Sequence, residues 1–71
     1  MRVLGVDPGL TRCGIGVIEG SPGRTPALLL ADVVRTASDL DTGQRLAALE
    51  RSLVQYIAEY RPDAIAVERV F

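Results

Sequence analysis

The chain contains no histidine, a single cysteine and no lysine. Without histidine, a Ser-His-Asp or Cys-His nucleophilic arrangement is excluded within these residues, as is a zinc site built on imidazole. One cysteine, Cys13, cannot form an intrachain disulfide, and its place in an alternating apolar segment reads as a buried thiol rather than a nucleophile. All eight basic residues are arginines scattered among nine acids, for a net charge of −1. That is no polybasic footprint, so bulk charge alone implies no nucleic-acid partner. No apolar run approaches the roughly 18 residues of a membrane-spanning helix, and no charged-then-apolar leader precedes the first apolar stretch. The expectation is a soluble, cytoplasmic protein with no membrane partner. At 71 residues there is room for one small domain, which buries only about 60% of the surface its unfolded form exposes.

Carboxylate chemistry is what remains, and two acids stand out by position. Val3-Leu4-Gly5-Val6 is a short buried-strand pattern that ends at Asp7, where Pro8-Gly9 begins a turn. Pro8 fixes φ and Gly9 offers the positive φ a tight turn can use. At the far end, Ala64-Ile65-Ala66-Val67 closes on Glu68 in the same way. Asp before Pro-Gly is also favoured by turn chemistry alone, so neither acid means much without the other.

The remaining elements follow from periodicity. A second strand over residues 11–19 points Cys13, Ile15 and Val17 to one face and Gly14, Gly16 and Ile18 to the other. The glycines leave backbone open to a close approach, whether by a ligand or by a packed element. Gly20 to Pro26 is a loop, and a third strand spans residues 27–35, where flanking prolines and Val33-Val34 override the helical look of Leu28-Leu29-Leu30. Asp41 stands three residues before Gln44 as a capping box, opening a helix that reaches Tyr60. Its apolar stripe is Leu46, Leu49, Leu53, Tyr56, Ile57 and Tyr60, with Arg51, Gln55 and Glu59 opposite. The two tyrosines read as amphipathic edges of that stripe rather than as base-stacking platforms. Pro62 stops the helix before a fourth strand over residues 63–68.

Counting strand directions brings the acids together. If the first strand runs up, the hairpin sends the second down, the loop sends the third up, and a right-handed helical crossover returns the fourth up. Asp7 and Glu68 then lie at the upper ends of two parallel strands, about 4.8 Å apart if those strands are neighbours. Gly5 and Ala66, two residues before each acid, leave space below. Two carboxylates that close share a proton or a hard cation, and oxygen ligands suit Mg²⁺ or Mn²⁺. The competing arrangement pairs Glu68 with an arginine such as Arg12 or Arg69.

Gly-Val-Asp-Pro-Gly-Leu-Thr-Arg-Cys-Gly-Ile-Gly near the start and Ala-Ile-Ala-Val-Glu-Arg-Val-Phe at the end, joined by a β-β-β-α-β pattern, closely resemble the amino-terminal half of the RuvC family of bacterial Holliday-junction resolvases. The resemblance covers essentially all of residues 1–71. It implies an α/β, ribonuclease-H-like fold: three antiparallel strands, a crossover helix, and a fourth strand parallel to the first, as the amino-terminal part of a larger nuclease domain. It further implies a homodimeric, Mg²⁺-dependent endonuclease that cuts four-way junction DNA in recombination and repair, working with a branch-migration helicase complex. Asp7 and Glu68 would be two of the catalytic, metal-ligating acids, Asp7 bridging two ions and Glu68 holding one. Phe71 would match an aromatic residue near the junction, and Arg12 and Arg69 would contact DNA.

In the family two more acidic ligands, much of the dimer interface and the basic DNA surface lie downstream of the position of Phe71. The expectation is therefore a piece of a longer protein that carries half a metal site and is inactive alone. Three other readings stay open: a phosphate-binding segment of an actin-like ATPase or sugar kinase, a RuvC-like nuclease acting on ribosomal RNA precursors, and an interaction module that kept the fold without the chemistry.

Overall fold

The structure, a computed structural model, describes residues 1–9 and 11–69. Four strands and one helix occur in the order β1 (Arg2–Asp7), β2 (Arg12–Glu19), β3 (Ala27–Arg35), α1 (Thr42–Tyr60) and β4 (Ala64–Val67). They form one mixed sheet in the order β3-β2-β1-β4. β1 pairs antiparallel with β2, β2 antiparallel with β3, and β1 parallel with β4. The adjacency inferred from strand counting is thus observed, with β2 and β4 one or two residues shorter than expected.

Alternation along the strands gives the sheet two unlike faces. Leu4 and Val6 of β1 and Cys13, Ile15 and Val17 of β2 are the buried core. Burial of a side chain of that size is worth roughly 1.5–3 kcal/mol. Leu30 and Val34 of β3 and Leu49, Leu53, Tyr56 and Tyr60 of α1 pack against them. The other face carries Gly5, Gly14, Gly16, Ala31 and Ala66, small residues that no element among the described residues covers.

The helix begins where the capping box predicts. The Asp41 carboxylate accepts from the Gln44 backbone N–H at 2.8 Å, and the Gln44 side chain accepts from the Asp41 N–H at 3.1 Å. It ends at Arg61, a left-handed residue with φ 47° whose N–H donates to the Ile57 carbonyl. Two members of the expected stripe stay outside the core: Leu46 is 59% and Ile57 38% exposed. The reason is where the helix lies. The helix packs through Leu49, Leu53, Tyr56 and Tyr60 on the core of β1, β2 and β3, and the Tyr56 hydroxyl hydrogen-bonds the Asp32 carboxylate on β3. On β4, Ile65 and Val67, in register with Leu4 and Val6, are 50% and 64% exposed.

The lower end of the sheet is fastened by Arg2. Its backbone N–H donates to the Asp63 carboxylate and its carbonyl accepts from Asp63, both at 2.7 Å. The guanidinium reaches Glu19 at 3.1 Å and the Tyr60 carbonyl, at the helix end, at 2.7 Å. One side chain joins β1, β2 and the C-terminus of α1, fixing where β4 starts.

Candidate functional site at the strand ends

With its start fixed at Asp63, β4 runs in register with β1, pairing Gly5 with Ala66 and Val6 with Val67. The next backbone bond, from the Glu68 N–H to the Val6 carbonyl at 2.8 Å, carries that ladder one step past the strand. Asp7 and Glu68 therefore leave the sheet side by side, on the uncovered face, two residues beyond Gly5 and Ala66. Both are exposed. They border an open depression of about 720 Å³ whose floor is the run of small residues and whose far edge reaches Ala31 and Val33 of β3.

The acids interact. A hydrogen bond to Asp7, followed by the charge of Asp7, raises the Glu68 carboxyl above its ordinary value of 4.5. Carboxylates that crowd one small space repel, and a shared proton or a cation relieves that repulsion. The pairing of β1 with β4 and this electrostatic influence put Glu68 beside Asp7. Among the described residues no group of three or more His, Cys, Asp or Glu side chains is clustered to hold a metal ion. The site has two oxygen donors from this segment.

Gly14 and Gly9 shape the surroundings of Asp7, for different reasons. Gly14 is the register partner of Asp7 on β2, and a Cβ there would stand 3.4 Å from the Asp7 Cβ. Gly9 does not use the positive φ that the turn was expected to need. Its requirement is space, because a Cβ would lie 2.3 Å from the Arg12 carbonyl oxygen. Cys13 is buried as expected, and burial, then the nearby charge of Asp7, push its thiol up, while the Gly9 N–H that it accepts pulls it down. A thiol so placed is a poor nucleophile.

Of the other anticipated residues, Arg12 is exposed at the start of β2, on the same face as Gly14 and Asp7 by alternation. Arg69 is exposed one residue beyond Glu68. Phe71, anticipated as a residue near the DNA junction, lies outside the described residues. Sequence reasoning missed Arg35, the register partner of Arg12. Composition gave no hint of it, because the pairing depends on an irregularity in β3.

Comparison with known proteins agrees with this geometry. The sequence profile of the family described as crossover junction endodeoxyribonuclease RuvC matches residues 3–71. The crossover junction endodeoxyribonuclease RuvC of Salinispora arenicola is 61% identical over all 71 residues, which span 41% of that relative. The Streptomyces avermitilis protein of the same name is 58% identical, with 40% of it covered. The chain thus spans about two fifths of the length of these relatives. Among solved structures, Thermus thermophilus RuvC superposes with a TM-score of 0.86 at 34% identity, over 100% of this chain and 44% of that one. The same protein in complex with a Holliday junction substrate gives 0.88 at 32% identity, over 97% and 42%. Sheet order, strand directions and crossover helix are those of a ribonuclease-H-like fold, and the chain belongs to the RuvC family.

Proposed function

We propose that residues 1–71 are the amino-terminal part of a ribonuclease-H-like nuclease domain whose complete protein resolves four-way DNA junctions, with Asp7 and Glu68 as two of its metal-ligating catalytic acids. The observation that carries this reading is the placement of the two acids at the exits of the neighbouring parallel strands β1 and β4, where Asp7 raises the Glu68 carboxyl. An all-oxygen pair of acids fits a hard divalent cation such as Mg²⁺ or Mn²⁺. When bound, that cation supplies Lewis-acid stabilisation of the charge that builds on the phosphodiester in hydrolysis.

The chain's own contribution is positional. Parallel pairing holds both carboxylates on one face, and Gly5, Gly14, Gly16 and Ala66 keep that face low enough for a sugar-phosphate backbone to lie against the sheet. Two donors leave most of an octahedral shell unfilled. The further acids, the dimer contacts and the surface for a branch-migration helicase belong, on this reading, to the rest of the polypeptide, so residues 1–71 alone bind the cation weakly and do not cleave. Phe71 and Arg69, next along the chain from Glu68, are assigned to the DNA side of the site.

The test is Mg²⁺-dependent cleavage of a synthetic four-way junction by the complete gene product beside its Asp7→Asn and Glu68→Gln variants. Cleavage lost in both variants with junction binding retained is the expected result. Unimpaired cleavage in either would make that acid structural and end the assignment.

A further inference from the structure

The hairpin of β2 and β3 contains an irregularity whose effect is felt at the acid end of the sheet. Below it Ile18 pairs with Leu28; above it Val17 pairs with Leu30, so Leu29 is an extra residue in β3. Every pair above the bulge is shifted by one. Without that shift Arg12 would face Val34, and Cys13 would face Val33. With it, Val34 sits opposite Cys13 and packs on the core, while Arg35 sits opposite Arg12. Alternation from Gly14 and Val33, both lining the depression, puts the two arginines on the face that carries Asp7 and Glu68.

Like charges directly opposite each other on neighbouring strands destabilise a sheet. Neither guanidinium has a hydrogen bond or ion pair among the described residues, and the Arg2–Glu19 salt bridge lies at the opposite end of the sheet. Both arginines are exposed. Two neighbouring, unsatisfied guanidiniums offer the donor geometry that a phosphate takes up from more than one side. Arg12 lies two residues beyond Gly14, the partner of Asp7, and one strand over, which places its Cα roughly 8 Å from that of Asp7. That separation is of the order of the spacing between neighbouring phosphates of one strand, so a phosphate next to one held at the acids lies within reach.

We propose that Arg12 and Arg35 together form an anion site that takes a backbone phosphate of the nucleic-acid strand lying across Asp7 and Glu68. This rests on the nuclease reading above and extends it, since Arg35 has no place in that reading. The site carries position rather than sequence, because phosphate contacts fix the register of a bound strand without reading bases.

The experiment measures binding of the complete gene product to a fluorescent four-way DNA junction by anisotropy over a range of salt, with Arg12→Gln, Arg35→Gln, the double variant and Arg51→Gln. Arg51 lies on the outer, exposed side of α1 and makes the same change in net charge. Arg12→Gln and Arg35→Gln are each expected to weaken binding about tenfold and to lower the salt slope by about one, the double variant falling short of the product of the two because they share one phosphate. Arg51→Gln is expected to bind within twofold of the unaltered protein, and thermal unfolding of all four to stay near it. Binding by Arg35→Gln equal to that of Arg51→Gln would overturn the anion site while leaving junction cleavage intact as a reading. DNA binding that depends on both arginines, without cleavage, would keep the anion site and overturn the nuclease assignment. Absence of DNA binding by the unaltered protein would overturn both.

Discussion

Replacing Gly9 by alanine tests whether the turn after Asp7 is set by space. The added Cβ would stand 2.3 Å from the Arg12 carbonyl oxygen, where real Cβ atoms keep at least 3.0 Å, so the turn must open by about 0.7 Å, the difference of the two. The obstacle is backbone at the start of β2, held in the sheet by its pairing with β3, and cannot swing aside as a side chain would. Overpacking of this kind costs about 1–3 kcal/mol. Against it stands about 0.4–1 kcal/mol gained from the smaller conformational freedom of unfolded alanine. The net expectation is a loss of about 1–2 kcal/mol, out of a total that for 71 residues is about 4–11 kcal/mol. Gly16→Ala is the matched control, because a Cβ there meets only the Leu30 carbonyl, at 3.9 Å. It should unfold at the same denaturant concentration as the parent or slightly higher. Both midpoints are read by circular dichroism in urea, with equal slopes as the condition for comparing them. If Gly9→Ala matched Gly16→Ala, the clash would be illusory and the turn free to relax.

Two further perturbations probe the core and the acid pair. Leu4→Ala removes a side chain that is 0% exposed at the centre of β1 and is expected to cost about 2–5 kcal/mol, leaving a chain of this size partly unfolded at 25 °C in the urea assay; a loss below about 1 kcal/mol would mean the core is loosely packed. Asp7→Asn should raise the thermal midpoint of the metal-free protein at pH 7. The Glu68 carboxyl is raised in the folded state by Asp7, so folding is favoured while Glu68 is protonated, below its ordinary value of 4.5, and that advantage is lost as pH rises through the folded value. The substitution removes this dependence, so its benefit should be present at neutral pH and vanish near pH 3; a benefit equal at both pH values would show that Asp7 does not act on Glu68.

How much of this was legible in the sequence varies with the range of the interaction. Local signals were sufficient for the capping box at Asp41 and Gln44, the stop at Pro62 and the two-faced alternation of β2. Counting directions gave β1 and β4 as parallel, while their being neighbours was supposed and is observed. The Leu46 and Ile57 flank was misjudged because helical periodicity reports which residues are apolar, whereas exposure depends on which strands the helix lies over. At Gly9 the residue was identified and its reason was not: a positive φ and a close contact leave the same letter in the sequence. Arg35 was out of reach for a stricter reason. A single extra residue at Leu29 changes every pairing above it, and nothing in Leu28-Leu29-Leu30 marks which residue will be left unpaired.

The acids occupy the least supported part of this sheet. β4 is four residues long, and its helix-side residues Ile65 and Val67 stay half exposed or more because α1 lies over the other strands. What holds β4 is its ladder with β1, extended at one end by the Arg2–Asp63 bonds and at the other by the Glu68 N–H to Val6. Repulsion between Asp7 and Glu68 acts on that last bond, prising apart the two strands whose pairing brings the acids together. A proton relieves it at low pH. At neutral pH a shared cation would do the same, and whatever binds the folded pair and not the separated strands stabilises the pairing by mass action. On the proposed reading, ion affinity and the stability of β4 are therefore one quantity measured in two ways. A side chain that strengthened β4 from the far end of its ladder, without touching either carboxylate, would tighten the site as well.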